Sequence, residues 1–163
     1  MNKIEKKLVG LIVALSCTLI VTSHLEAATL RVGSNSGSPG DKVISIPINL
    51  ASAPGEEVSA FNFDIKFDIS RLSFKEVTLG SVSEDADKSL SYSKPSSNII
   101  RVVVIGLNQN VIDDGTVLTF TFDILDNASG GKAKLTINNQ SISDPHGKLL
   151  PVNTKGGELD VLN

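Results

Sequence analysis

The stretch Ala60-Phe61-Asn62-Phe63-Asp64-Ile65-Lys66-Phe67-Asp68-Ile69-Ser70-Arg71-Leu72 decides the fold. Phe61, Phe63, Ile65 and Phe67 alternate without a break with Asn62, Asp64, Lys66 and Asp68. A β-strand turns successive side chains to opposite faces, so this segment buries an aromatic row and shows water a polar one. Four of the six phenylalanines, Phe61, Phe63, Phe67 and Phe74, lie in it or close by. The core is therefore expected around this strand and its return strand. Asp68 to Arg71 reads as a tight polar corner, from which Leu72, Phe74, Val77 and Leu79 lead away.

Working outward, the same grammar recurs. Upstream, Ile44, Ile46, Ile48 and Leu50 alternate with Ser45, Pro47 and Asn49. Proline cannot donate to a ladder, so this strand is expected at a sheet edge or with a bulge. Downstream, Ile99 to Ile105 is apolar on both faces, as a central strand would be. Leu118, Phe120, Phe122 and Ile124 alternate with Thr119, Thr121 and Asp123, a half-buried strand. Weaker strands are read at Leu30 to Ser34, Leu90 to Ser93, Ala133 to Ile137 and Glu158 to Leu162. Turn chemistry separates them, as in Ser38-Pro39-Gly40-Asp41 and Asp144-Pro145-His146-Gly147. Gly80 to Lys88 reads as a long acidic, Ser-rich loop, and Asn108 to Gly115 as a polar excursion. No window after Thr29 carries a helical period. About nine short strands imply one all-β domain, a β-sandwich of two packed sheets.

The N-terminus follows a different pattern. Met1-Asn2-Lys3-Ile4-Glu5-Lys6-Lys7 is basic, Leu8 to Val21 is nearly all apolar, and Leu25-Glu26-Ala27-Ala28 offers small residues for cleavage. That order describes a secretory signal over residues 1–27, followed by one domain over 28–163. Cys17 falls inside the apolar run and is read as part of the signal. The apolar run is short of the roughly 20 residues a spanning helix needs, so no membrane association is expected once the signal is cleaved. The domain is then secreted and free of cysteine, with no disulfide framework and no thiol chemistry. Removing residues 1–27 takes away three lysines and two glutamates, moving the formal charge from −3 to −4. Such mild acidity argues against nucleic acid as a partner.

The residues for catalysis are sparse. With His24 in the signal, His146 is the one histidine left, and it sits in a Pro/Gly turn. No Gly-x-Ser-x-Gly elbow is present. No Cys/His zinc set and no Asp-x-Asp-x-Asp-Gly calcium loop is present either. Glu84, Asp85 and Asp87, and likewise Asp113 and Asp114, read as solvated loop charge. The expectation is a non-enzyme with no cofactor and no metal. Stacking of sugars calls for exposed aromatic rings, and the chain has no Trp and a single tyrosine, Tyr92. A domain that presents a surface to another molecule is what remains.

Four segments carry a resemblance. Gly40-Asp41-Lys42-Val43-Ile44-Ser45-Ile46-Pro47-Ile48-Asn49-Leu50 resembles the early strand of cohesin domains, with its Gly-x-x-Val-x-x-Pro core. Phe61 to Asp68 with Ile69-Ser70-Arg71-Leu72 resembles their phenylalanine-rich strand and its Tyr-Asp-Pro-x-x-Leu corner, Phe67 standing for the Tyr and Ile69 for the Pro. Asp114-Gly115-Thr116-Val117-Leu118 with Phe120, and Gly156-Gly157-Glu158-Leu159-Asp160-Val161, resemble later strands of the same family. The resemblance implies a nine-stranded sandwich of jelly-roll topology that docks dockerins, calcium-loaded modules on polysaccharide-degrading enzymes, in cellulosomes. It places partner contacts at Ala60, Asn62, Asp64 and Lys66 on the phenylalanine-rich strand and at Asn108, Gln109 and Asn110 in a neighbouring loop. Ala60 stands where well-studied cohesins carry Asn, and Asn62 where they carry Asp. The alternative reading is a carbohydrate-binding module acting directly on polysaccharide.

Overall fold

The computed structural model describes residues 26–163. The signal reading of residues 1–27 thus lies outside the described residues, except for Glu26 and Ala27.

Within them the strands are β1 (Ala28–Val32), β2 (Asn35–Gly37), β3 (Ile44–Ala51), β4 (Ala60–Lys66), β5 (Leu72–Leu79), β6 (Ser89–Ser96), β7 (Ile99–Ile105), β8 (Gly115–Ile124), β9 (Gly131–Ser143), β10 (Leu149–Leu150), β11 (Val152–Lys155) and β12 (Gly157–Val161). One short helix, α1 (Ser81–Asp85), joins them. Setting aside β2, β10 and β11, which hold four residues or fewer, leaves the nine strands anticipated. One sheet runs β11-β1-β3-β8-β5; the other runs β2-β12-β9-β4-β7-β6, with β10 paired to β9. From β3 to β9 the chain changes sheet at every connection except the β6–β7 hairpin, the crossing pattern of a jelly roll.

β4 is at the heart of the packing. It pairs antiparallel with β7 on one side and β9 on the other. Its inward residues Phe61, Phe63 and Ile65 are buried. They face the inward row of β8 in the opposite sheet: the Phe63 ring lies 6.4 Å from Phe120, and Phe67 lies 5.1 Å from Phe122. Tilted ring pairs at such distances add modestly to what burial of the rings already contributes. The Asp68 corner forms as its residues require. Asp68 accepts from Ser70 N and Oγ and from Arg71 Nη1, and its backbone carbonyl accepts the Leu72 amide.

Bulges account for the breaks in alternation. On β5 the buried phase passes from Leu72 to Val77, an odd step. The register against β8 slips by one residue between Phe74 and Glu76, leaving Lys75 extra. On β9 the phase passes from Ile137 to Ile142, again odd. Here Asn139 takes a left-handed backbone (φ 51) and supplies the additional residue opposite β4. One extra residue restores the inward face that an odd step would otherwise turn to water.

One expectation is met in its second form and another needs correction. The strand holding Pro47 is interior, third of five. Pairing between β1 and β3 ends at Val32 and Ile48, and Pro47, just past it, contributes only its carbonyl, which accepts the Gly33 N–H at 2.8 Å. The expected bulge is present beside it, between Ile48 and Asn49 against β8. The acidic segment Gly80 to Lys88 is not all loop. It opens with α1 and ends on Lys88, a buried lysine.

Candidate functional site

Strand pairing sets out the outer face of the second sheet. Asn62 lies between Ser141 on β9 and Val103 on β7, and Val103 in turn faces Ser91 on β6. Asp64 lies between Asn138 and Arg101, with Ser93 beyond; Lys66 lies between Thr136 and Ile99. Ala60 begins the strand opposite Ser143. The four β4 residues anticipated as contacts therefore do share one outward row.

They do not all meet solvent. Lys66 is exposed, Ala60 and Asn62 are half-buried, and Asp64 is only 4% exposed. The reason lies in its neighbours. Arg101 Nε donates to Asp64 Oδ1 at 2.7 Å and its Nη2 to Oδ2 at 2.8 Å, while Asn139 Nδ2 donates to Oδ2 at 2.8 Å. The bidentate guanidinium holds the Asp64 carboxyl below its ordinary range, overcoming the desolvation that works the other way. Asp64 is thus committed to Arg101, and a partner arriving on this face meets the guanidinium instead. The left-handed bulge at Asn139 delivers the third hydrogen bond, and Asn62 Nδ2 reaches the Asn139 carbonyl at 3.4 Å.

The loop residues divide in the same way. Asn108 Oδ1 accepts from Lys88 Nζ at 2.7 Å, and its Nδ2 donates to the Asp87 carbonyl at 2.8 Å. Asn110 Nδ2 donates to the Ala86 carbonyl at 3.1 Å. Both side-chain amides are spent on holding the loop, while Gln109 is exposed between them and makes no such bond among the described residues.

What the face displays instead is apolar. Ile99 to Ile105, apolar on both faces, runs inside its sheet between β4 and β6, as a central strand would. Ile100, Val102 and Val104 are buried, but Val103 is 39% and Ile105 55% exposed, because no layer covers the outer face. Leu107, two residues beyond, is fully exposed, and Leu149 on β10 is 70% exposed. Val103, Ile105 and Leu149 line a shallow depression of about 240 Å³ together with Ala60, Asn62 and Gly147. Contiguous exposed apolar surface with a polar surround is the usual mark of an interaction site. A doubly apolar strand was the available sequence signal; nothing in the pattern of Leu107 or Leu149 announced their exposure. His146 lies exposed in its turn, with its backbone N–H donating to Asp144 Oδ1. Among the described residues, no group of three or more His, Cys, Asp or Glu is placed to hold a metal, and no helix is long and apolar enough to cross a membrane.

Fold and face together define a jelly-roll β-sandwich that leaves one partly apolar sheet surface open. The chain belongs to the cohesin domain family, whose model matches residues 28–158. The sixth cohesin of Acetivibrio cellulolyticus scaffoldin B, solved in complex with a Cel5 dockerin mutant, superposes with a TM-score of 0.75. That match is at 18% identity, over 84% of this chain and 100% of the other. CaCohA2 of Clostridium acetobutylicum superposes at 0.72 with 24% identity, over 83% and 91% of the two chains. A non-cellulosomal cohesin of the archaeon Archaeoglobus fulgidus superposes at 0.71 with 20% identity, over 85% and 93%. No curated protein matches the chain by sequence.

Proposed function

We propose that the domain is a secreted, non-catalytic docking module whose partner is a calcium-loaded dockerin on a polysaccharide-degrading enzyme. The contact surface in this reading is the outer face of β9-β4-β7-β6 with the loop after β7. The observation that carries it is the uncovered apolar set Val103, Ile105 and Leu149 beside Ala60 and Asn62, with Leu107 exposed in the loop that follows β7. Apolar anchors within a polar surround are what protein partners bury, and their removal dominates measured binding losses. The scaffoldin B cohesin was solved with a dockerin, which favours a partner of that class. The Archaeoglobus relative is described as non-cellulosomal, so docking here need not place the protein in a cellulosome. Direct polysaccharide binding is less well supported, because Tyr92 sets its ring edge-on to Phe74 at 5.8 Å instead of lying flat on the open face.

The test is titration of the 28–163 domain with recombinant dockerins, in calcium and again in chelator. Saturable binding that chelator abolishes, and that Ile105→Arg eliminates without altering the melting temperature, is the expected result. Binding to insoluble polysaccharide with no dockerin engaged would replace this reading with the sugar-binding one.

A further inference from the structure

Lys88 is the most unusual charged residue among those described. It is buried, yet no carboxylate among the described residues lies within ion-pairing distance. Neutral oxygens hold it instead: Nζ donates to Ser59 Oγ at 3.0 Å and to Asn108 Oδ1 at 2.7 Å. An ammonium taken out of water without an ion-pair partner is costly, and burial drives the Lys88 pKa down, against the weaker opposing pull of the Asp87 charge. For the fold alone, an apolar side chain of equal length would serve as well or better.

What the ammonium does is tie three segments together. Its own backbone follows the left-handed turn at Asp87 (φ 54) behind α1. Ser59, which it bonds, immediately precedes β4, and the Ser59 hydroxyl donates onward to the Asn110 carbonyl at 2.9 Å. Asn108 carries the connection into the loop after β7. Its Oδ1 also accepts the Asn110 N–H at 3.1 Å, and its Nδ2 reaches back to Asp87. Gly106 passes directly over the lysine stem: a Cβ there would lie 3.1 Å from Lys88 Cδ and 3.0 Å from Asn108 Nδ2. The loop is thus seated on the lysine from Gly106 to Asn110, and Leu107 stands between those anchored points, fully exposed.

We propose that Lys88 is a positioning residue for docking, holding the Gly106–Asn110 loop in the one conformation that presents Leu107 to a partner. The proposal rests on the docking reading above for its purpose, but not for its geometry. Fixing a loop before binding removes an ordering cost at the moment of association, so a frame buried beneath an interface acts on affinity without touching the partner.

Lys88→Met, apolar and of similar length, is the variant that separates the two roles. Hydrogen exchange in the free domain is measured first. Exchange of the 106–110 amides is expected to accelerate at least tenfold, with β4, β7 and β8 unchanged and the melting temperature equal or higher. Affinity for a calcium-loaded recombinant dockerin is expected to fall at least tenfold. In a Leu107→Ala background the same substitution should change affinity by less than threefold, because a lysine that acts through Leu107 has nothing left to position. Unchanged exchange at 106–110 overturns the proposal, as does a full affinity loss that persists in the Leu107→Ala background. If Lys88→Met unfolds the domain, Lys88→Gln is read by the same criteria, and unfolding of both variants assigns Lys88 to the core and ends the proposal. If the wild-type domain binds no dockerin, the docking reading fails by itself, while the exchange result still decides whether Lys88 holds the loop.

Discussion

Truncating Leu107 to alanine removes three carbons from a fully exposed side chain. At about 0.8 kcal/mol per buried methylene-sized group, complete burial of those carbons by a partner contributes about 2.4 kcal/mol. Interfaces rarely desolvate an anchor completely, so about 2 kcal/mol is the working figure. At about 1.4 kcal/mol per tenfold, that is a loss of about 30-fold in affinity. Fold stability should hardly respond, because the side chain is already in water in the free domain; surface substitutions of this kind stay within about 0.5 kcal/mol. Calorimetric titration of wild-type and Leu107→Ala domains against a bound dockerin gives the first quantity, and thermal melts give the second. Most of the affinity change should appear as faster dissociation. An affinity within threefold of wild type would refute the assignment of Leu107 as an anchor. So would a fall of several degrees in melting temperature, which would mean that the leucine packs against its own domain.

Two further outcomes test the chemistry of the fold. The Asp64 carboxyl titrates below its ordinary value of 3.8 in the folded state, so its contribution is present above about pH 4 and is lost as pH falls through the folded value. Asp64→Asn is therefore expected to be less stable by about 1–2 kcal/mol at pH 7, a figure discounted because Arg101 is half exposed, and the gap should narrow as the pH is lowered below the ordinary carboxylate range. Denaturant melts over a descending pH series check this, and a gap that never narrows down to acid unfolding would show that the charge is not what matters. Ser83 is fully buried in α1 and its hydroxyl has no hydrogen-bond partner. Ser83→Ala should stabilise the domain by about 0.5–1.5 kcal/mol, from relief of an unsatisfied group and better helix propensity. A lower melting temperature would mean that the hydroxyl is satisfied in solution.

The inward half of the sandwich was legible because one physical rule governs it. Phe61, Phe63, Ile65, Phe120 and Phe122 had to alternate to reach a common core, and period two in the sequence is the direct image of that requirement. Bulges were less legible. Pro47 pointed to the one beside Ile48 and Asn49, but the left-handed turn at Asn139 is chosen by packing across the sheet, not by local sequence. The outward half followed no such rule. Asp64 looked like a solvated carboxylate until Arg101, 37 residues away, was found to cover it. Lys88 looked like one more charge in an acidic loop. Its burial follows from tertiary placement beneath Gly106 and Asn108, which no periodicity encodes. Ile99 to Ile105 reads as apolar on both faces, as a central strand would be, and β7 does run between β4 and β6; an apolar outer face is ordinarily covered. Here the covering layer is missing, and that mismatch between composition and environment is where the candidate site lies.

The open face divides its work between two sets of residues, and the division explains how the fold persists among relatives only 18–24% identical. Asp64, Arg101 and Asn139 in the sheet bond one another, as do Lys88 beneath the loop and Asn108 within it, while Asn110 donates to the Ala86 carbonyl. Polar groups committed in this way give the surface a shape but have little left to offer a newcomer. In the docking reading proposed above, recognition comes mainly from what is displayed: the apolar residues Ile105 and Leu107, and polar groups such as Lys66 and Gln109. Because side chains on a strand alternate between faces, these displayed residues can change without disturbing Phe61, Phe63 or Ile65 behind them. A change of partner therefore requires substitution on the outer row alone. A change in the frame, at Arg101 or Lys88, would alter the presentation of the whole face while the core of the sandwich stays as it is.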